Sequence, residues 1–168
     1  GTLLLTATVN EPMAPRFVEG GSSTLLYGGI PLDLPDGMAM VIETDDPRSD
    51  YFSYQTYRTG WYHPGDYANR QTSLNQHQAH VGSDGKIRFV ASANDPGVPN
   101  WLDTEGRSDG LIVFRYIKPE NPQLPEVSVV PQADVMSFFP DDTPHVNAEE
   151  RRSTISMRQR HVQGRYHN

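Results

Sequence analysis

Apolar and polar residues alternate along several short stretches of the chain, and this period of two predicts β-strands. The alternation is clearest in YFSYQTY (51–57), where Tyr51 and Ser53 fall on one face and Phe52 and Tyr54 on the other. Similar stretches bounded by turn residues predict further strands at 1–9, 38–44, 86–92, 111–117 and 127–130. The stretch LIVFRYI is the most apolar of them and predicts a central strand.

Three stretches lack a regular period and predict loops, at 10–24, 58–78 and 94–110. Between the last two, residues 79–92 contain the turn sequence Ser-Asp-Gly and predict a hairpin. The two later loops are too long for simple turns, and loops of that length are usually functional or disordered. Their many aromatic and amide residues favour an ordered, functional structure.

One helix is predicted near the end of the chain. Asn147 and Glu150 have the spacing of a capping box, so Asn147 is the expected N-cap. The helix is expected to run to about Gln163 and to end at Gly164. Its apolar content is low, which is typical of a helix that lies on a surface or bridges to another subunit.

Six or more strands followed by one helix predict an all-β domain, a β-sandwich or jelly-roll-like fold with a C-terminal α-helix. We divide the chain into an N-terminal segment (1–24), a β-sandwich-like domain (25–146) and a C-terminal Arg-rich helix and tail (147–168).

Composition excludes several classes of function. The formal net charge of −7 argues against nucleic-acid binding, which needs a basic surface. No run of 18 apolar residues is present, which argues against membrane insertion. The absence of cysteine excludes disulfides and thiolate chemistry. Residues 1–9 lack the basic and long apolar parts of a signal peptide, which favours a cytoplasmic location.

The charge is unevenly distributed. Residues 149–165 contain two Glu and five Arg, a local charge of +3, so the rest of the chain carries −7 − 3 = −10. A basic helix beside an acidic body predicts a contact within the chain, with a partner chain, or with a second copy in a homo-oligomer.

The first long loop carries the side chains expected of a site for a small polar or aromatic compound. Aromatic rings provide stacking surfaces, amides provide hydrogen bonds, and an arginine provides a fork for a carboxylate. The candidate residues in this loop are Trp61, Tyr62, Asn69, Arg70, Ser73, Asn75 and His77. Alternatively, the Asn and Gln side chains satisfy backbone groups that no strand pairs.

The second long loop contains DPGVPNWLDT (95–104), in which Pro and Gly residues predict tight turns. In one interpretation, Asn100, Trp101 and Asp103 form part of a pocket rim. In the other, Trp101 anchors a packed corner at the end of the sandwich.

Catalytic and metal motifs are weak. His63, His77 and His80, with Asp66, could in principle bind zinc or iron, but their spacing matches no known metal motif, so no metal or other cofactor is predicted. No nucleophile elbow is present. His77 is the candidate general base if the protein is a hydrolase or lyase.

Three passages together resemble a known family. They are NRQTSLNQHQAHVGSDGKIRFVAS (69–92), DPGVPNWLDTEGRSDGLIVFRY (95–116) and PDDTPHVNAEERRSTISMRQRHV (140–162). The chain resembles domain-of-unknown-function family 1214, in the bacterial branch with SLNxHQA and DPGVPNWLDT signatures, over about residues 25–165. The resemblance implies a β-sandwich-like fold at the C-terminal end of a longer chain, and no established reaction.

The prediction is therefore a β domain that binds a small polar or aromatic organic compound within a larger bacterial catabolic protein. Trp61, Tyr62 and Trp101 would stack on the compound, Arg70 would pair with an anionic group, and Asn75 and His77 would orient it. The alternatives are a hydrolase or lyase that uses His77, and an assembly module that docks through residues 147–168.

Overall fold

The computed structural model describes residues 7–60 and 63–166. Within them the chain forms nine strands, one 3₁₀ helix and one α-helix. The strands are β1 (Met13–Phe17), β2 (Leu25–Asp33), β3 (Met38–Thr44), β4 (Tyr51–Tyr57), β5 (Ser73–Asn75), β6 (Ile87–Ser92), β7 (Trp101–Asp103), β8 (Asp109–Ile117) and β9 (Glu126–Pro131). The 3₁₀ helix is Gln132–Phe138, and the α-helix α1 is Ala148–Tyr166.

The strands form two sheets. The first has the order β1-β2-β8-β4-β5 and is antiparallel throughout. The second has the order β7-β6-β3-β9, in which β7 runs parallel to β6 and the other pairs are antiparallel. The apolar strand β8 is the middle strand of the first sheet, as its composition predicts.

The two sheets pack face to face around one main core. The ring of Tyr54 on β4 stacks on Phe89 of the opposite sheet, with centroids 4.3 Å apart, and on Phe114 of β8 at 5.2 Å. The hydroxyl groups of Tyr54 and Tyr116 lie 2.8 Å apart in this interior. The fold is therefore all-β, a two-sheet sandwich with a C-terminal helix. The jelly-roll connectivity stays a prediction.

Several strands form where loops were predicted. Residues 13–17, in the predicted loop 10–24, form β1 because they pair with β2. The predicted long loops contain β5 and β7, which are three residues each and pair with β4 and β6. Such short strands show no period of their own, because the hydrogen bonds that define them come from a neighbouring strand.

Other local predictions need correction as well. The predicted hairpin at 79–92 is reduced to one isolated bridge, between Val81 and Ile87. The predicted strand at 1–9 lies mostly outside the described residues, and residues 7–9 are not in a strand. The helix begins after Asn147, as predicted, but continues through Gly164 to Tyr166.

Candidate functional site

A groove of about 760 Å³ separates helix α1 from the outer face of the first sheet. This volume falls in the range of small-molecule sites in proteins. Its walls come from β4, from β5 with the turn that follows it, and from one face of the helix. The residues that line the groove include Tyr51, Gln55, Tyr67, Ser73, Asn75, His77, Gln78, Thr154, Met157, Arg158, His161, Val162 and Arg165.

The floor of the groove follows from strand alternation. On β4, Phe52 and Tyr54 are buried in the sandwich, so Tyr51 and Gln55 lie on the opposite face of the strand, where both line the groove. On β5, Leu74 is the buried residue, and Ser73 and Asn75 flank it on the outer face. The pairing of Ser73 with Gln55 extends this polar outer face across the two strands.

A tight turn after β5 presents His77. The Asn75 side chain accepts a hydrogen bond from the His77 backbone N–H at 3.0 Å, and the Gln78 side chain accepts one from the Asn75 N–H at 3.1 Å. The turn therefore satisfies its own backbone groups, while the His77 side chain stays exposed at the edge of the groove. Among the described residues, the His77 imidazole has no carboxylate partner.

The helix begins with a complete capping box. The Asn147 side chain accepts hydrogen bonds from the N–H groups of Glu149 and Glu150, at 2.9 and 3.0 Å. The Glu150 carboxylate accepts one from the Asn147 N–H at 2.8 Å. These contacts satisfy donors that a helix N-terminus otherwise leaves unpaired, so residues 147–150 define where the helix starts.

Arg151 anchors the first turns of the helix to the sandwich. Its guanidinium bonds both oxygens of the Asp95 carboxylate, at 2.8 and 3.1 Å, and the Val98 carbonyl at 2.6 Å. It also lies over the Trp101 ring, 5.2 Å from the centroid. This buried arginine is satisfied by protein groups, so its role is structural.

Arg158 lies two turns further along the same face of the helix, and its environment is different. One Nη donates to the Ser73 carbonyl, and the other lies 3.5 Å from the Tyr67 carbonyl. Its Nε is buried with no hydrogen-bond partner among the described residues. Burial lowers the pKa of this guanidinium, although an arginine stays charged at neutral pH.

The groove is cationic in an acidic chain. Arg151, Arg158 and Arg165 all line it, and no Asp or Glu does so within residues 7–60 and 63–166. The chain as a whole has a formal net charge of −7. Acidic side chains thus lie elsewhere on the surface, and the groove is suited to attract negative charge.

The structure brings three of the predicted ligand residues together, because Ser73, Asn75 and His77 all line the groove. Asn69 is not among the lining residues; its side chain donates to the Asp66 carboxylate and accepts a hydrogen bond from Gln159 on the helix at 3.0 Å. Trp61 and Tyr62 lie outside the described residues.

Arg70 is not part of the groove lining. Its guanidinium pairs with the Asp103 carboxylate at 2.9 Å. Asp103 is buried, and its other oxygen accepts a hydrogen bond from the Glu105 N–H at 2.7 Å. Burial raises the pKa of Asp103, and the neighbouring Arg70 opposes that rise. This pair joins the first long loop to β7, so Arg70 already has a counter-charge within the protein.

Asn100 and Trp101 are buried structural residues. The Asn100 side chain accepts from the His80 N–H and donates to the carbonyls of His80 and Arg88, at 2.7, 2.8 and 3.0 Å. The Trp101 indole donates to the Ser92 carbonyl at 3.2 Å and packs in a second apolar cluster. These contacts favour the packed-corner interpretation of DPGVPNWLDT over the pocket-rim interpretation.

The groove residues on the helix were not predicted from the sequence. Thr154, Arg158, His161 and Arg165 recur at intervals of three and four residues, which places them on one helix face. That spacing was available as a signal. The spacing did not indicate a binding site, because a polar helix face is ordinarily exposed to solvent.

No group of three His, Asp or Glu side chains in the described parts of the chain is placed to hold a metal ion. Within the same residues, no helix is both long and apolar enough to cross a bilayer.

No family model matches the chain, and no curated protein does. A solved structure of an uncharacterized protein from Burkholderia cenocepacia is similar, with 29% identity and a TM-score of 0.69 over 74% of this chain and 36% of that one. The VPA0106 protein from Vibrio parahaemolyticus has 20% identity and a TM-score of 0.48, over 62% and 30% of the two chains. The chain thus spans little more than a third of the first protein.

Proposed function

We propose that the groove beneath helix α1 binds a small polar organic compound. The observation that carries this proposal is the groove itself, a space of about 760 Å³ between elements that meet through polar contacts. Ser73 and Asn75 provide hydrogen-bonding groups on one side, and the helix provides cations on the other. Tyr51, Met157 and Val162 add apolar surface for the body of the compound.

Binding is a better-supported function than catalysis. A general base needs a group that holds and orients it, and the exposed His77 imidazole has no acidic partner among the described residues. His77 is proposed instead as a contact for the compound at the open end of the groove. Assembly through the helix is less well supported, because Arg151 and Arg158 face this chain's own sandwich.

We also propose that this domain acts within a longer bacterial catabolic protein of family 1214. The signature passages support the family. The coverage of only 36% of the Burkholderia cenocepacia protein supports the larger size. Mass spectrometry of the protein purified from its natural host would test this part, since a natural chain of about this length would contradict it.

The binding proposal is tested by nuclear magnetic resonance with a panel of small polar compounds. We expect shifts at the backbone amides of Ser73, Asn75 and His77 and along the helix. Thr154→Trp places a large ring in the groove and should abolish these shifts. Ser153→Trp adds the same ring next to it, at a residue that does not line the groove, and should leave binding unchanged. Shifts that persist equally in Thr154→Trp would refute a site in the groove.

A further inference from the structure

We propose that the compound held in the groove is an organic monocarboxylate with an apolar or aromatic body, and that Arg158 is the residue that binds its carboxylate. This inference rests on the proposed function, since it names the class of compound for the same site. It depends on three observations: the unmatched charge of Arg158, the composition of the groove lining, and the contrast with the two buried arginines, Arg88 and Arg151.

Arg158 is a partly buried cation with no acidic partner in the part of the chain that the structure describes. Its contacts in the structure are two backbone carbonyls, from Tyr67 and Ser73, and its Nε is buried without a partner among the described residues. Removing a charged group from water is costly unless an opposite charge or a full set of hydrogen bonds compensates it. A ligand carboxylate in the groove would supply both the charge and the missing acceptor.

The two buried arginines, Arg88 and Arg151, differ from Arg158 because each pairs with an acidic side chain. Arg88 lies between Asp84 and Glu43, with nitrogen–oxygen distances of 2.6 and 2.8 Å. Arg151 pairs with Asp95 at 2.8 Å. In each case the fold provides an acid for the guanidinium. Arg158 is the one of these three that lines the groove without such an acid in the described parts of the chain, which is the arrangement expected where a ligand provides it.

The rest of the lining favours a single carboxylate over a more highly charged group. One guanidinium fork matches one carboxylate, and Arg165 and His161 can contribute further donors. Tyr51, Met157 and Val162 would pack against an apolar body. A dianion such as a phosphate ester carries a second negative charge, which a single guanidinium fork leaves unmatched.

The same guanidinium also connects the helix to the sheet. Because Arg158 donates to the Ser73 carbonyl from the helix, a carboxylate bound to it would link the ligand, β5 and α1. Few apolar contacts hold this helix on the sandwich. A carboxylate that bridges the helix and the sheet should therefore slow the local unfolding of the helix. Hydrogen exchange in residues 148–166 should therefore become slower when a carboxylate binds.

The test uses benzoate, benzamide, benzylamine and phenyl phosphate, which share one ring and differ in charge, together with hexanoate and hexanamide. Binding to the 168-residue chain is measured by nuclear magnetic resonance titration at millimolar concentrations. We expect the carboxylates to bind about tenfold or more tightly than the matching amides. We also expect this preference to weaken in high salt. Hydrogen exchange is measured on the same samples.

Three variants separate the carboxylate contact from effects on folding. Arg158→Gln should remove the preference for the carboxylate over the amide, and Arg158→Lys should retain part of it. Arg160→Gln removes the same charge from an exposed position outside the groove and should have no effect. Gln159→Ala removes another contact between helix and sandwich, so it shows what a loosened helix alone does to binding.

The outcomes distinguish this inference from the proposed function. If benzamide or benzylamine binds in the groove as tightly as benzoate, or if Arg158→Gln keeps the preference, the carboxylate inference is wrong and the binding function stands. Tighter binding of phenyl phosphate than of benzoate would likewise replace the carboxylate with a phosphate. If none of the six compounds shifts groove resonances, both proposals fail.

Discussion

The Arg151 guanidinium donates two hydrogen bonds, of 2.8 and 3.1 Å, to the carboxylate of Asp95, which lies 56 residues earlier in the sequence. This contact fixes the start of α1 against the corner of the sandwich that contains Trp101. The helix has few apolar contacts elsewhere, and helices in proteins gain most of their stability from tertiary packing. The position of the helix, and with it the groove, therefore depends on a small number of polar contacts.

Arg151→Ala should release the helix. The substitution leaves the Val98 carbonyl without its 2.6 Å donor and Asp95 without its counter-charge, which we expect to cost about 2 kcal/mol of helix docking. Hydrogen exchange of residues 148–166 should accelerate by more than tenfold, whereas β3 and β8 keep their protection. Arg152→Ala is the matched control, because the neighbouring Arg152 is exposed. Equal protection of the helix in the two variants would contradict the anchoring role.

Asn100→Ala should destabilise the sandwich itself. Asn100 is 1% exposed and satisfies one N–H and two carbonyls at the edge of β6. Alanine leaves these groups unpaired, so we expect the free energy of unfolding to fall by about 3 kcal/mol. Urea denaturation measures the change. Asn94→Ala, at an exposed position, serves as the control and should change stability by less than about 0.5 kcal/mol.

Two glycine substitutions should change stability in opposite directions. A Cβ on Gly28 would lie 2.1 Å from the Phe114 ring, which is buried in the core, so Gly28→Ala should cost about 3 kcal/mol. A Cβ on Gly164 meets nothing within 4 Å. Because Gly164 lies within the helix, Gly164→Ala should stabilise the helix by up to about 1 kcal/mol. Circular dichroism melts would measure both effects. A neutral Gly28→Ala would show that the sheet can move away from Phe114.

Stability should fall at high pH because of Tyr54 and Tyr116. Burial raises the pKa of Tyr116 to about 12 and the pKa of Tyr54 well above its usual value. Unfolded tyrosines lose their protons near pH 10, so between about pH 10 and 12 the unfolded state binds fewer protons than the folded state. The contribution of these two tyrosines to the free energy of unfolding is therefore constant well below pH 10 and decreases as the pH rises toward 12.

Ultraviolet titration of the phenolate band checks this prediction. The absorbance change from Tyr54 and Tyr116 should be delayed until the protein unfolds, and it should be missing in the Tyr54→Phe/Tyr116→Phe variant. Ordinary titration of all eight tyrosines near pH 10 in the folded protein would contradict the buried hydroxyl pair.

Local patterns of the sequence were sufficient for the main strands and for the start of the helix. Residues 38–44 and 51–57 form β3 and β4 with the predicted bounds. The apolar centre of β3 is buried on both faces, with Met40 in the main core and Val41 in the second cluster, whereas the alternation of β4 places Phe52 and Tyr54 in the main core. The capping box of Asn147 and Glu150 acts within four residues, so its sequence signal was complete.

Contacts between residues that are far apart in the sequence were set by the tertiary structure. The sequence showed Arg70 in a loop rich in polar groups, but it could not show that Asp103, 33 positions later, provides its counter-charge. It showed Arg158 on a polar helix, but not that its guanidinium donates to the Ser73 carbonyl of β5 and meets no acid among the described residues. Hydrogen bonds and ion pairs form between groups that the fold brings together, whereas periodicity and capping depend on neighbours along the chain. Local patterns along the chain thus account for the main strands and the helix start, and the packing of the helix on the sheet creates the groove.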